Sequence, residues 1–351
     1  MVPAPTRSPL TSLLDALKGP GPVVILPHDN PDPDALASAA AVKFLVKSLL
    51  GKEAVIALGG IVGRAENRAM VTYLNISLVP VCDIELGPDV RVVLVDTQPG
   101  RPNNSLPEHV RPAAVIDHHP AYADYPDVPF LDLRDMYGAT STILTEYLRE
   151  SKLVIEHKIA TALFYGISAE TQDLGREATA ADVEASHFLY PFTNKRRLAK
   201  IENARVPRAY FRVFTEAVDR AVLYDKVVVS ILGELQYPDM VAEVADLLLR
   251  LDEAEWAVAL GVYNGALHCS VRTTDRDINA GDLLQRVLGS KSAGGHDMIA
   301  GGRIHVPSDP AAQERVALRI RDRLLAALHV DPSTGEPLVT GRPPVARAQA
   351  S

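Results

Sequence analysis

Three stretches of this chain place aspartate and histidine where a run of apolar residues ends. His28, Asp32 and Asp34 follow the apolar residues 23–26, Asp96 follows residues 91–95, and Asp117, His118 and His119 follow residues 113–116. Asp32 and Asp34 are two apart, so in an extended loop both carboxylates would point the same way. Like charges held that close repel unless a cation lies between them. Imidazole beside carboxylate suits Mn²⁺ or another transition metal better than Mg²⁺. Taken singly, each stretch has a plainer reading: an acidic turn punctuated by proline, an aspartate capping a strand, two ordinary part-buried histidines. Three such endings in one chain point to a shared metal site.

The elements needed to bring them together can be read from the same sequence. The apolar runs have the pattern of strands buried on both faces. Residues 35–50, rich in Ala and Leu and closed by Gly51, predict a helix with a glycine C-cap. Strand, ligand-bearing loop and helix form the usual place for chemistry in an open α/β sheet. Residues 54–58 read as a further strand, and 10–17 as a short amphipathic helix. Gly59 to Gly63 fits neither dinucleotide nor Walker spacing and reads as a tight turn. Thr140 or Ser141 is expected to cap a helix reaching residue 153. Another helix is expected over 156–165, stopped by Gly166, and Thr179 with Asp182 resembles a capping box.

In their order along the chain, His28-x-x-x-Asp32-x-Asp34, Val95-Asp96-Thr97 and Asp117-His118-His119 resemble the first three motifs of the DHH phosphoesterases. Gly166-Ile167-Ser168-Ala169-Glu170-Thr171 is similar to the fourth, usually Gly-Ile-x-x-Asp-Thr, with Glu in place of Asp. Residues 293–301, Ala-Gly-Gly-His-Asp-Met-Ile-Ala-Gly, resemble the Gly-Gly-Gly-His-x-x-Ala-Ala-Gly signature of the DHH-associated C-terminal subdomain. The likeness runs from about Val23 to Val306.

This resemblance implies an α/β protein of two domains, with a parallel-sheet catalytic domain, a smaller domain with a mixed sheet, and an active site between them. It implies two Mn²⁺ ions, with Mg²⁺ or Co²⁺ as alternatives. One would take His28, Asp32 and Asp96, the other Asp34, Asp96, His118 and Glu170, so that Asp96 is the bridge. Such centres hold their ions about 3.5–4 Å apart and activate a water. His119 would face the scissile phosphate as a donor or acid, and Asp117 would hold a neighbouring histidine ring in orientation. Glu170 is a departure, because its extra methylene moves the carboxylate by roughly one bond length where sites tolerate about ±0.2 Å; Asp173 could stand in. In the smaller domain the resemblance assigns Arg272, Gly294, Gly295 and His296 to the substrate. Arginine is suited to bidentate phosphate contact, and the glycines could form an anion nest. Unaided, these residues also read as a tight turn and a surface arginine.

The chain has 351 residues, enough for two cores. Boundaries are expected at 1–190 for the first domain, 191–224 for a basic connector, 225–330 for the second and 331–351 for a disordered, Pro- and Arg-rich tail. Tyr210, Phe211, Phe214 and Val218 recur at helical spacing as a packing stripe, and Lys195, Arg196, Arg197 and Lys200 form a solvated face. Asn264-Gly265 signals a hairpin. Net charge is −8, which opposes a grip on long duplex nucleic acid but leaves short phosphorylated substrates open. No apolar run reaches 18 residues, so no membrane partner is expected. The N-terminal residues lack an apolar signal core, and Cys82 and Cys269 are too isolated for a disulfide framework; both point to the cytoplasm. No motif encodes oligomeric state, and a homodimer is left open.

Within the family, length and the lack of further domains resemble the stand-alone group that degrades short RNA, cleaves linear dinucleotides such as pGpG, or dephosphorylates 3′-phosphoadenosine 5′-phosphate (pAp). A nucleotide-binding or regulatory module, with catalysis weakened at Glu170, is the alternative.

Overall fold

All five residues of β1 (Val23–Pro27) are buried, and the strand pairs on both sides. It belongs to the first of two units, Met1–Arg205 and Val206–Ser351, into which the computed structural model divides. The structure describes residues 7–175, 178–295 and 297–339.

In the first unit α1 (Pro9–Ala16) precedes β1. There follow α2 (Pro33–Leu50), β2 (Ala54–Leu58), α3 (Ala65–Leu74), β3 (Leu78–Pro80), β4 (Arg91–Val95), β5 (Ala114–Asp117) and β6 (Phe130–Leu133). Four helices complete it: α4 (Thr140–Ser151), α5 (His157–Glu170), α6 (Ala180–Leu189) and α7 (Lys195–Glu202). The six strands are parallel, in the order β3-β2-β1-β4-β5-β6. Strand order reverses between β1 and β4, and at such a reversal the carboxyl ends of open α/β sheets leave a crevice. Those two ends deliver His28 and Asp96.

Alternation along β1 explains why its run is apolar throughout. Val23 and Ile25 join the large core beneath the helices, while Val24 and Leu26 join a small one covered by loops around Ile84, Leu106 and Val128. Each fully buried side chain of this size contributes about 1.5–3 kcal/mol. Gly51 takes φ 63° and closes α2, as a glycine C-cap should.

Two helix boundaries differ from expectation. Ala139, not Thr140 or Ser141, stands at the N-cap of α4, and no side chain of its own caps that helix. Helix α5 does not stop at Gly166 but runs to Glu170. Here the glycine serves packing: a Cβ would lie 2.4 Å from Ser141 Oγ, 3.1 Å from Ala37 Cβ and 3.2 Å from Asp34 Cα. Its missing side chain lets α5 close on α2 and α4.

The second unit comprises α8 (Arg208–Asp219), β7 (Val222–Tyr224), β8 (Val227–Glu234), α9 (Met240–Leu248), β9 (Trp256–Tyr263) and β10 (Ala266–Thr273). It continues with α10 (Ala280–Leu288), β11 (Ala293–Gly295), β12 (Ile299–His305), α11 (Pro310–Ala327) and β13 (Glu336–Pro337). Its sheet is mixed, ordered β11-β12-β10-β9-β8-β7-β13, with β8 and β9 parallel and the other pairs antiparallel. Asn264 and Gly265, at φ 47° and 72°, make the turn between β9 and β10. The span read as a connector carries α7, α8 and β7. Of the stripe on α8, Tyr210 and Phe214 pack on the core of this unit, whereas Phe211 is 62% exposed. The tail is ordered at its start, since β13 pairs with β7; residues from 340 onward lie outside the described ones. Among the described residues no helix is long and apolar enough to cross a membrane.

Candidate metal centre

His28 leaves β1 with its Nδ1 2.9 Å from the Asp29 carbonyl. The N–H on Nδ1 donates there, so Nε2 is the atom turned to the acids, 3.5 Å from Asp32 Oδ2 and 3.6 Å from Asp96 Oδ2. His118 repeats the device at the end of β5. Its Nδ1 donates to the Tyr137 carbonyl at 3.1 Å, and Nε2 lies 3.5 Å from Asp96 Oδ1. A backbone carbonyl on one ring nitrogen fixes the tautomer and aim of the other, the arrangement typical of metal-bound histidine.

These separations fit donors around a shared cation. They are too long for hydrogen bonds, yet donors each about 2.1 Å from one ion stand roughly 3.0–3.5 Å apart. His118 Nε2 is buried and without a hydrogen-bond partner, a cost of about 1–3 kcal/mol unless something binds it. Two donor groups form, each with atoms within 4.8 Å of one another: His28, Asp32 and Asp96, and Asp96, His118 and His119. Asp96 is common to both.

The backbone at Asp96 is part of the design. It has φ 59°, a left-handed conformation uncommon for residues other than glycine, asparagine and aspartate. Its carboxylate is 3% exposed and accepts the Thr140 hydroxyl at 2.8 Å. The loop before α2 is held from the other side by Gly59 and Gly60, where a Cβ would lie 1.8 Å from Asp29 Oδ1 and 2.4 Å from Asn30 Oδ1. Close approach, beyond the turn itself, therefore requires those glycines.

Asp32 and Asp34 do not share an extended loop, so the premise that their carboxylates point alike fails. Asp32 is the N-cap of α2, accepting from the Ala35 N–H at 2.9 Å. Asp34 lies in the first helical turn, fully buried, and accepts the N–H groups of Thr140 and Ser141, each at 2.7 Å. It supplies the cap that α4 lacks. Glu170, at the end of α5, is half-buried. Neither Asp34 nor Glu170 enters the two donor groups, although the charges of both act on His118. Asp173 is exposed, accepts the Ser168 hydroxyl and, like Glu170, is in neither donor group.

Protonation follows from this crowding. Burial disfavours the His28 imidazolium, yet Asp32 and Asp96 outweigh it and hold the pKa up at about 10. Likewise burial lowers His118, but Asp96, Asp34 and Glu170 raise it to about 9. Burial, together with Asp32, pushes Glu170 up to about 7, and burial with Asp34 and Asp32 pushes Asp96 well above the carboxylate range. Burial acts the same way on Asp32, but His28 beside it overcomes this and holds that acid low. At neutral pH the metal-free cluster thus holds protons that a cation must displace. Titrating Mn²⁺ at pH 7 in two buffers of different ionisation enthalpy is expected to show release of more than one proton per chain. Release of none would contradict the protonated cluster.

Asp117 Oδ1 lies 2.7 Å from His119 Nδ1, and Asp117 Oδ2 accepts the Gln98 amide at 2.7 Å. Gln98, fully buried, also donates to the carbonyls of His119 and Pro120 and accepts from the Tyr122 N–H. It fastens the Asp117–His119 pair, a role that sequence reading passed over although Gln98 follows Asp96 by two residues. Gln98→Leu, similar in size but without the donor, is expected to lower metal-dependent turnover by about 10–100-fold. Turnover within twofold of the parent at saturating Mn²⁺ would remove Gln98 from that role.

In the second unit, Arg272 is not a surface residue. It is 7% exposed, with Nε 2.5 Å from Asp246 Oδ1 and a terminal nitrogen donating to Ser270 Oγ at 2.8 Å. Gly294 and Gly295 lie in strand β11, paired with Gly301 and Ala300, and neither has positive φ. An extended strand does not form the expected anion nest. A Cβ on Gly295 would lie 2.2 Å from the Ile299 carbonyl oxygen, so tight packing at the strand end accounts for that glycine. His296 lies outside the described residues.

Residues 22–167 match the DHH family, N-terminal domain, and residues 224–322 the DHHA1 domain. An uncharacterized protein of Methanocaldococcus jannaschii is 34% identical over 85% of this chain, and a probable manganese-dependent inorganic pyrophosphatase of Enterococcus faecalis is 27% identical over 48%. The matches span 61% and 54% of those relatives' own lengths. Among solved structures, an exopolyphosphatase-related protein from Bacteroides fragilis superposes with a TM-score of 0.70 at 11% identity, covering 93% of this chain and all of its own; that likeness is one of fold.

Proposed function

Because the chain belongs to the DHH family, carrying its N-terminal domain followed by a DHHA1 domain, we propose that the cluster around Asp96 holds two divalent metal ions and serves phosphoester hydrolysis. The observation that carries this reading is the convergence of His28 Nε2 and His118 Nε2 on the two oxygens of one buried carboxylate. Mixed imidazole and carboxylate donors favour Mn²⁺, and the relative from E. faecalis is a probable manganese-dependent enzyme.

When bound, the ions supply a nucleophilic water at neutral pH and neutralise charge on the phosphoryl oxygens. His28, Asp32, Asp96 and His118 hold and space them, with Asp34 and Glu170 as further ligands to the second ion. Thr140 fixes the rotation of the Asp96 carboxylate through its hydroxyl. Asp117 accepts from His119 Nδ1–H and steadies the ring as the imidazolium; from that doubly protonated form Nε2–H can give its proton to a departing oxygen.

Short oligoribonucleotides, pGpG and pAp are the proposed substrates. The Ser-Arg-Lys-Lys motif of the manganese pyrophosphatases is absent from the second half of the sequence, which sets pyrophosphate below them. A nucleotide-binding module of weak activity is favoured by one observation: both oxygens of Asp34 already accept backbone N–H groups. Assaying pAp, pGpG, two- to five-nucleotide RNA and pyrophosphate with Mn²⁺ decides between these. Hydrolysis of a nucleotide, lost in Asp96→Asn, supports the enzyme; nucleotide binding without turnover supports the module.

Glu170→Asp is expected to preserve or raise manganese-dependent turnover, because it restores the shorter carboxylate of the fourth motif. A tenfold or greater loss would show that α5 is positioned for glutamate as it stands.

A further inference from the structure

Away from the acids, a cavity lies between the far ends of the two helices that carry Asp34 and Glu170. It has a volume of about 350 Å³ and lies between the C-terminal half of α2, the start of α5 and the turn from α3 into β3. Lys43, on its wall, is nine residues from Asp34, about 14 Å along α2. The floor is apolar: Phe44, Ile56, Leu74, Ile76, Ile159 and Ala162.

The rim is cationic. Lys43 and Lys47 stand four apart on one side of α2, and Lys158 faces them from α5, with Glu156 the only acid among the lining residues. Among the described residues none of these lysines has an ion-pair partner. Their one polar contact among the described residues is with Asn75: turning that amide so that its nitrogen donates to the Thr72 carbonyl brings its oxygen 3.1 Å from Lys158 Nζ. Two like charges at this helical spacing cost a few tenths of a kcal/mol where nothing neutralises them. In a chain of net charge −8, three gathered ammonium groups with one acid make a local site of opposite sign, and they surround an apolar hollow.

A cationic rim over an apolar floor selects a ligand with an anionic group at one end and a flat, weakly polar body at the other. The volume is at the small end of ligand-enclosing pockets, which suits one mononucleotide rather than a dinucleotide. Phe44 offers an aromatic face for stacking, while Asn75 and Ser77 offer amide and hydroxyl groups at the edge. We propose that this cavity is a binding site for a nucleoside 5′-monophosphate, with its phosphate on Lys43, Lys47 and Lys158 and its base against Phe44. The inference stands apart from the metal chemistry and does not require it.

Calorimetric titration of GMP into the full chain, without added metal, tests the site. Binding is expected, and Lys43→Gln combined with Lys158→Gln is expected to weaken it at least tenfold; both side chains are only half-buried, so the fold should tolerate the change. Lys226→Gln, in the other unit, should leave binding unchanged. Guanosine and ribose 5-phosphate, each lacking one half of the ligand, should each bind at least tenfold more weakly than GMP. No GMP binding, GMP binding that survives the double substitution, or ribose 5-phosphate binding as tightly as GMP would each overturn the proposal.

Discussion

Asp96→Asn is expected to reduce metal-dependent hydrolysis by about a thousandfold, on the order of 4 kcal/mol in the barrier, while leaving the fold intact. The two halves of this expectation have separate causes. Asparagine tolerates the left-handed backbone at φ 59° almost as well as aspartate does, and its carbonyl oxygen can still accept the Thr140 hydroxyl. In the metal-free protein the change also removes a group whose charged form burial and its neighbours Asp34 and Asp32 disfavour. What is lost is the second anionic oxygen, and with it the ability to serve His28 on one side and His118 on the other. Circular dichroism should therefore match the parent, whereas Mn²⁺ is expected to raise the melting temperature of the parent and not of the variant. A variant that retains turnover within tenfold would show that Asp96 bridges nothing.

Asp34→Ala is expected to destabilise the metal-free protein by about 2 kcal/mol. Two opposing effects set that figure. Removing the carboxylate strips both acceptors from the buried N–H groups of Thr140 and Ser141. The loss is one of an N-cap and of two charge-assisted bonds, together about 2–4 kcal/mol. Burial first, and then repulsion from Asp32, raise the Asp34 pKa, and relief of both returns part of it. Asp34→Asn keeps one acceptor and sheds the charge, so it should fall between Ala and the parent. Chemical denaturation of the three proteins in chelator gives the order directly. An alanine variant as stable as the parent would mean that water can cap α4, and that Asp34 serves only the metal.

These two residues show where the sequence was legible and where it was not. Asp96, His28 and His118 were readable because each ends an apolar strand, and strands in a parallel sheet align their carboxyl ends whatever lies between them. The switch between β1 and β4 then makes neighbours of residues almost 70 positions apart. Asp34 was identified for its type, but its second duty was hidden, because the N–H groups it accepts belong to a helix more than 100 residues later. Gly166 misled for a related reason. Local propensity makes glycine a helix stop, while the contact that requires it, with Ser141 and Ala37, is tertiary. In the second unit the hairpin at Asn264-Gly265 was readable, but burial of Arg272 against Asp246 and Ser270 was not. Gly294 and Gly295 show the limit of motif reading, since glycine permits both a nest and an edge strand.

Collecting anomalous diffraction above and below the manganese edge, on crystals grown with Mn²⁺, addresses the central claim directly. Two peaks flanking the Asp96 carboxylate are expected, one within bonding distance of His28 Nε2 and the other of His118 Nε2. A map with no manganese beside Asp96, or with both histidines still turned to carboxylates alone, would contradict the account.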